Sequence, residues 1–186
     1  MMRSVIGRSL VVPAVFILVV LAWAIPANAL DTYWKHDPAT IGPWDDPLNW
    51  TVRVPIAGDY AYIENGGTAQ ITGDCYATVI CAGFHSSQGG HIEQVGGTVT
   101  VSYSLEVRSG TYGASSYVLN GGQVSAANES VGAWNQIFTQ NGGINTISEQ
   151  LGVHNGGTYI LNGGQLSVAG RNDLRCGEII AGVQSN

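Results

Sequence analysis

A phrase built around two adjacent glycines recurs through the second half of this chain of 186 residues. The glycine pairs begin at Gly96, Gly121, Gly142 and Gly163, so one copy follows another at a nearly regular interval. The four copies read IEQVGGTVTV, YVLNGGQVSA, FTQNGGINTI and YILNGGQLSV. A repeat of this length, in which each unit is too small to bury a core alone, is typical of a β-solenoid.

The residues between the glycine pairs alternate in the manner of strands. Tyr117 and Leu119 share one face and Val118 and Asn120 the other, and Val124 resumes the inward set after the corner. A helix is disfavoured, because two glycines in each unit would cost about 1 kcal/mol each. The sequence therefore predicts an all-β fold of stacked parallel coils. The alternative is an antiparallel sheet in which Asn-Gly marks hairpin turns.

Stacking one unit on the next predicts which side chains lie above one another. The first column contains Tyr117, Phe138 and Tyr159, the second Leu119, Gln140 and Leu161, and the third Val124, Asn145 and Leu166. Because Gln140 and Asn145 interrupt the apolar columns, that coil could be shifted so that Ile144 points inward. Asn120, Asn141 and Asn162 align just before the corner and are predicted to form an amide ladder.

The N-terminal segment 1–29 has the three parts of a secretory signal peptide. Arg3 and Arg8 form a positive region, an uncharged stretch follows to Ile25, and Ala27-Asn28-Ala29 offers a cleavage site. An uncleaved membrane anchor is the alternative, although prolines within and after the stretch disfavour a spanning helix. Removing two of seven basic residues leaves five against 13 acidic ones, a charge of −8. This charge disfavours nucleic acid and other anionic partners.

The segment from residue 30 to 77 precedes the repeats and differs from them in composition. It contains Trp34, Trp44 and Trp50 together with a run of prolines, and then a β segment from Tyr60 to Ile71. A solenoid leaves an unpaired strand edge and an open core at its end, which such a segment would cover. We therefore predict a signal peptide over 1–29, an N-terminal cap and first β segment over 30–77, and solenoid repeats over 78–186. The last repeat, starting at Leu174, is incomplete in this sequence.

The cap and the repeats resemble those of a known group of proteins. Trp34, Asn49-Trp50, Pro55, Gly58-Asp59, Ala61, Ile63 and Gly66-Gly67-Thr68 follow the pattern W…NW…P..GD.A.I..GGT. This pattern, followed by repeats of the type L.VG…G.Y.L.GG.V.V, resembles secreted planctomycete-type bacterial repeat proteins and autotransporter passenger domains. The resemblance implies a right-handed parallel β-helix of the pectate-lyase-like kind, displayed on the cell surface or released.

The cysteines do not form a recognisable site in the sequence. An extended link between Cys75 and Cys81 would separate their Cα atoms by roughly 20 Å, so a disulfide would need a turn there. Cys81 and Cys176 align with repeat positions held by Val107, Val131 and Leu151, which predicts two small core residues. A metal site formed by Cys75, Cys81 and His85 has no common zinc spacing. We predict no metal or cofactor site.

Two sets of polar or aromatic residues remain as candidates for function. His36-Asp37 and Asp45-Asp46 could supply paired carboxylates for glycoside hydrolysis, but acidic residues in proline-rich loops usually begin turns. Trp34, Trp44, Trp50 and Trp134 could stack against sugars, or could pack in the cap and core, and Trp134 is the best candidate for exposure. Isolated charges in the coils are interpreted as solvated, namely Glu93, Glu106, Arg108, Glu129 and Glu149.

These features together predict a secreted or cell-surface structural or adhesive module without catalytic residues. Its partners would be extracellular polysaccharide or another surface protein, with the membrane involved only through the signal peptide during export. The alternative is a polysaccharide-binding or polysaccharide-degrading module on the same fold.

Overall fold

The computed structural model describes residues 28–85, 87–108 and 113–181. The predicted signal peptide at 1–29 therefore lies almost wholly outside the described residues, as does the end of the last repeat. The described residues form fifteen strands and one short 3-10 helix at Pro47–Asn49.

The strands belong to two sheets, and the chain alternates between them. The first sheet contains β1 (Asp31–Tyr33), β3 (Tyr60–Ile63), β5 (Cys75–Ala82), β7 (Thr98–Val107), β9 (Gln123–Gly132), β11 (Ile144–His154), β13 (Gln165–Val168) and β14 (Arg171–Arg175). The second contains β2 (Ile41–Pro43), β4 (Thr68–Ile71), β6 (His91–Gln94), β8 (Ser115–Leu119), β10 (Gln136–Gln140), β12 (Thr158–Leu161) and β15 (Glu178–Ala181).

Neighbouring strands in both sheets run parallel, and each strand pairs with its counterpart in the next coil. The chain is therefore an all-β solenoid of about five turns, as predicted. The hairpin alternative is wrong, because the Gly121-Gly122 corner joins β8 to β9 and these strands lie in different sheets. Strands β1 to β4, within the segment predicted as a cap, extend the same two sheets.

The long strands of the first sheet each cross a bend. The pairing register shifts between Ala77 and Val79 and between Val101 and Ser104, and again at the next coils. Such a shift marks a bulge, which kinks a strand without ending it. The short strand after each glycine corner is thus continuous with the first strand of the next unit. In the last coil the two halves are separate, because β13 and β14 both pair with β11.

The predicted aromatic column is present in the core. Phe138 pairs in register with Tyr117 below and Tyr159 above, and all three side chains are fully buried. The ring centroids lie 4.8 and 4.7 Å apart, with interplanar angles of 3° and 5°. This spacing matches the distance of about 4.8 Å between strands, so each ring lies flat on the ring of the coil below.

Tyrosine occurs in this column where the coil below supplies a glutamine. The Tyr117 hydroxyl donates to Gln94 Oε1 at 2.6 Å, and the Tyr159 hydroxyl donates to Gln140 Oε1 at 2.7 Å. Leu119 lies between these glutamines in register, and the ring above it is Phe138, which has no hydroxyl. The polar residues that interrupt the predicted columns are therefore paired buried groups.

The coil containing Asn145 is not shifted. Asn145 is fully buried and Ile144 is 39% exposed, so the alternative that placed Ile144 inward is wrong. Asn145 stays inside because its Nδ2 donates to Glu129 Oε2 at 2.8 Å and to the Tyr159 hydroxyl at 3.0 Å. These two bonds satisfy the amide nitrogen, whereas Asn145 Oδ1 and Glu129 Oε1 are buried without a hydrogen-bond partner among the described residues.

Glu129 is also inside the solenoid, contrary to its interpretation as a solvated charge. It is 1% exposed and lies in register with Leu105 and Leu151 of the inward set. Burial raises the pKa of its carboxyl to about 8, although the hydrogen bond from Asn145 favours the charged form.

The three tryptophans of the cap close the core next to β1 and β2. Trp34, Trp44 and Trp50 are all buried, and Trp50 meets the other two edge to face. The Trp50 indole donates to the Trp44 carbonyl at 2.7 Å. They belong to the same apolar cluster as Ala69 and Ile71.

The Gly-Asp pair of the resemblance motif has a structural role. Asp59 is fully buried and accepts two hydrogen bonds from the Arg53 guanidinium, at 2.8 and 2.9 Å. The amides of Leu30 and Ile56 also donate to it. Burial alone would raise the pKa of Asp59, but these donors lower it below its ordinary value. The carboxylate thereby fastens Leu30, just before β1, to the loop before β3.

Candidate functional site

A row of outward-facing residues crosses the second halves of the long strands. Pairing places these positions in register from coil to coil: Tyr62, Cys81, Glu106, Ser130, Gly152 and Asp173. The residues on either side of each point into the core, since strand side chains alternate between faces. The row is aromatic at one end and polar at the other.

The polar end of the row lines a groove of about 400 Å³. Its walls include Tyr103, Glu106, Asn128, Ser130, Glu149 and His154. Asn128 Nδ2 donates to Glu149 Oε2 at 3.2 Å, and Arg108 donates to Glu106 at 2.9 Å. The groove therefore offers hydroxyl, amide and carboxylate groups beside one exposed tyrosine, Tyr103. We call it the outer groove.

His154 occupies the end of the outer groove beside two glycines. Its Nε2 lies 3.3 Å from Ser130 Oγ, beyond the range of about 2.6–3.2 Å expected for an activated nucleophile. A β-carbon at Gly132 would fall 2.7 Å from the His154 ring, so glycine at this position makes room for the imidazole. In the described part of the chain no hydrogen bond joins a carboxylate to His154. The pair can bind a polar group, but it lacks the third group of a hydrolytic triad.

The aromatic end of the row surrounds a smaller cavity of about 220 Å³. Tyr60, Tyr62, Phe84 and Tyr103 line it, and Tyr103 and Glu106 are shared with the outer groove. Tyr62 stacks on Tyr33 with centroids 5.1 Å apart. The two cavities are neighbours, because Tyr103 and Glu106 line both.

Cys81 lies at the base of this aromatic end: it is buried, as predicted, but on the other face of its strand from Val107 and outside the main apolar cluster. It pairs with Glu106, whereas Val107 and Val131 are in register with Ala82. Burial under the neighbouring side chains raises the pKa of the Cys81 thiol, and the nearby Glu106 carboxylate adds to the effect. The sequence alignment was one residue out of register here, and a one-residue slip exchanges the two faces of a strand.

Of the other two cysteines, Cys176 differs from its prediction as a core residue. Cys176 is exposed at the end of the stack and is not a core residue, whereas Cys75 is buried within the apolar cluster. All three thiols are free. His85 lies beside Glu64, 3.3 Å from its carboxylate. The described residues include no group of three or more histidine, cysteine or acidic side chains positioned for a metal ion.

The acidic pairs of the cap serve local turns. Asp37 Oδ1 accepts from the Ala39 amide at 2.9 Å, and Asp46 Oδ1 accepts from the Leu48 amide at 2.9 Å to cap the 3-10 helix. The His36 ring bonds to Asn49 and Thr40, each at 2.8 Å. These contacts orient the loop around the buried tryptophans.

The four tryptophans named as candidate sugar contacts divide into two groups. Trp34, Trp44 and Trp50 are buried and present no ring face to a ligand. Trp134 is 80% exposed, in the loop between β9 and β10.

The asparagines before the glycine corners are joined by hydrogen bonds on the outside of the solenoid. Asn141 Nδ2 donates to Asn120 Oδ1 at 2.8 Å, and Asn162 Nδ2 donates to Asn141 Oδ1 at 2.9 Å. Asn120, the first of the three asparagines, also donates from Nδ2 to Glu93 Oε1 at 3.1 Å. This asparagine row fixes the lateral position of the corners from one coil to the next.

Sequence reasoning missed Tyr103, Ser130 and His154. Their positions depend on the bulge in each long strand, which decides which residues after the bend face outward. The run TVTVSYSLEV keeps strict apolar alternation through Tyr103, so the sequence carries no signal of the bulge that turns this side chain outward.

Comparison with known proteins yields no relative. No family model matches the chain, and neither a curated protein nor a solved structure matches it significantly. Among the described residues, no helix is long and apolar enough to span a membrane.

Proposed function

We propose that this chain is a secreted or cell-surface structural and adhesive module without catalytic activity. The observation that carries the proposal is the in-register pairing of the second sheet, together with the aromatic column and the asparagine row that join successive coils. A stack of this kind is stiff along its axis, because each coil is bonded to the next through backbone and side chains. Loops at the bends are then held at fixed positions, as adhesion to an extended surface requires.

Placement outside the cell is supported by the sequence. Segment 1–29 has the pattern of a signal peptide, and the cap motif resembles secreted planctomycete-type repeat proteins and autotransporter passengers. The acidic excess of 13 over seven basic residues keeps such a surface soluble and directs it away from anionic partners.

Two measurements test the proposal. The chain expressed in a Gram-negative host should reach the periplasm or medium without segment 1–29, and a variant lacking that segment should stay in the cytoplasm. Beads coated with the folded chain should adhere to extracellular polysaccharide matrix several-fold better than beads carrying heat-unfolded chain. Equal adherence, or retention of the full chain in the cytoplasm, would contradict the proposal.

The outer groove favours a second candidate, a module that binds polysaccharide along the solenoid. An extended chain lying in it would cross one strand about every 4.8 Å and meet hydroxyl and amide groups beside Tyr103. Tyr103→Ala should then weaken retardation in gels containing soluble polysaccharide, whereas Tyr76→Ala, another exposed strand tyrosine, should not. Release of reducing ends or unsaturated products would instead indicate a degrading enzyme.

A further inference from the structure

The loop that carries Trp134 is built to hold an exposed indole in one place. Ala133 and Asn135, on either side of it, have left-handed backbone angles of φ 87° and 67°. Alanine rarely adopts this conformation, which costs of order 1 kcal/mol or more, and such strain persists only where surrounding contacts enforce it. Here the strained pair turns the tryptophan outward, where it is 80% exposed.

Hydrogen bonds fix the backbone of this loop from beneath. The fully buried Gln136 donates from Nε2 to the Trp134 carbonyl at 3.0 Å and to the Gly113 carbonyl at 2.9 Å. The Ala133 amide bonds to the His154 carbonyl of the next coil at 3.3 Å. The indole is therefore anchored through its own main chain.

The next coil provides a floor for the ring. The six-membered part of the indole lies against Gly156, where an added β-carbon would be 3.1 Å from Trp134 Cε3. Gly156 is itself fixed, because its amide donates to the Cys176 carbonyl at 2.7 Å. One side of the ring is thus supported by glycine backbone, and its exposure leaves the other side to solvent.

The surroundings of the ring select the class of ligand. The segments 132–136 and 155–157 contain no charged residue, and both of their asparagines, Asn135 and Asn155, are exposed. The adjoining strand carries Arg175, whose charge is paired with Asp173. A protein partner would need a larger apolar patch than one indole supplies. A neutral sugar ring fits this arrangement, because its CH face can pack on the indole while its hydroxyls bond to amides.

We propose that the Trp134 loop is a contact site for neutral polysaccharide, at which a pyranose ring packs on the exposed indole face. The inference rests on the proposed adhesive function and supplies its ligand class. One such contact is weak, and many copies on a surface would make the adhesion strong by multivalency.

The test titrates the full chain with neutral hexasaccharides of glucose, mannose, galactose, xylose and N-acetylglucosamine, with hexagalacturonate as the charged comparison. Trp134 is the one exposed tryptophan in the described part of the chain, so its fluorescence reports contact directly. At least one neutral sugar should give a saturable change. Trp134→Ala should weaken binding measured by calorimetry at least tenfold, and Trp134→Phe should weaken it less. Tyr76→Ala, an exposed strand tyrosine that lines neither cavity, is the matched control and should leave affinity unchanged.

Several results would overturn the site. These are the absence of saturable change with every neutral sugar, unchanged affinity in Trp134→Ala with its unfolding midpoint preserved, or preferential binding of hexagalacturonate. Loss of binding in Tyr103→Ala alone would assign the ligand to the outer groove instead. Because bead adherence is measured separately, adherence that persists in Trp134→Ala would leave the adhesive function standing and reject only this site.

Discussion

Asn145 donates a hydrogen bond of 2.8 Å to Glu129 in the interior of the solenoid, where both side chains are buried almost completely. No arginine or lysine bonds to this carboxyl in the described residues, and the neighbouring hydroxyl, that of Tyr159, accepts from Asn145. A carboxyl in this position is more easily kept neutral than charged. The pair therefore makes the stability of the stack depend on pH.

We predict that stability falls as pH rises from weakly acidic to weakly basic. The pKa of Glu129 is raised from 4.5 to about 8, so the folded state binds a proton that the unfolded state releases in this window. The stability that this group contributes is complete below about pH 4.5 and is lost as the pH rises through 8. The loss is up to about 5 kcal/mol, because each pH unit between the two pKa values corresponds to 1.36 kcal/mol. Urea unfolding at pH 5, 7 and 9 measures the slope.

Glu129→Gln removes the titrating proton while keeping the shape of the side chain. The variant should show a much flatter pH dependence between 5 and 9, whereas Glu149→Gln, on an exposed residue, should retain the wild-type slope. An identical slope in Glu129→Gln would show that this carboxyl is not the group responsible.

The asparagine row gives a second prediction. Asn141→Ala removes two side-chain hydrogen bonds, those to Asn120 and Asn162, and each is worth roughly 0.5–1.5 kcal/mol. We expect the free energy of unfolding to fall by about 1–2 kcal/mol, measured by urea denaturation. Gln123→Ala, an exposed amide on β9 outside the row, should change it by less than about 0.5 kcal/mol. Equal effects would mean that the row contributes nothing.

The glycine corners give a third prediction. Gly122 has φ 83° and its missing β-carbon would collide with the Gly97 carbonyl of the coil below. Gly122→Ala should therefore destabilise the chain by more than about 2 kcal/mol. Gly73→Ala is the matched control, since a β-carbon there meets nothing within 4 Å. The thermal unfolding midpoint should be lower for Gly122→Ala than for Gly73→Ala. Similar midpoints would show that the corners tolerate side chains.

The periodicity of the sequence was enough to predict the parallel stack and three of its columns. It worked because Tyr117, Phe138 and Tyr159 recur at a constant spacing beside the repeated Gly-Gly corners. The same reasoning placed Cys81 on the wrong face, because β7 has one extra residue between Val101 and Ser104, opposite the single residue between Ala77 and Val79, and this shifts the register of the two strands. A pattern read at period two cannot reveal where such an insertion falls.

Burial of polar groups was the other property hidden from the sequence. In the sequence, nothing distinguishes Glu129 from the exposed glutamates. Only its register with Leu105 and Leu151 shows that its side chain points into the core. The outer groove likewise depends on residues from separate coils, such as Tyr103 and His154, brought together by stacking. Exposure of Trp134, by contrast, followed from its position in a loop phrase.

The match between tyrosine and glutamine across coils tests the stacked register most directly. Phe138→Tyr would place a hydroxyl above Leu119, whose side chain offers no acceptor, unlike the glutamines below Tyr117 and Tyr159, and should destabilise the chain by about 1–3 kcal/mol. Leu119→Gln recreates the arrangement seen for Tyr117 on Gln94, so the double variant should be more stable than the sum of the single effects.

The decisive measurement is the coupling free energy from urea unfolding of the wild type, the two single variants and the double variant. In-register stacking predicts a favourable coupling of about 1 kcal/mol or more. Additivity within about 0.3 kcal/mol would contradict it, because residues 119 and 138 would then not face one another across neighbouring coils.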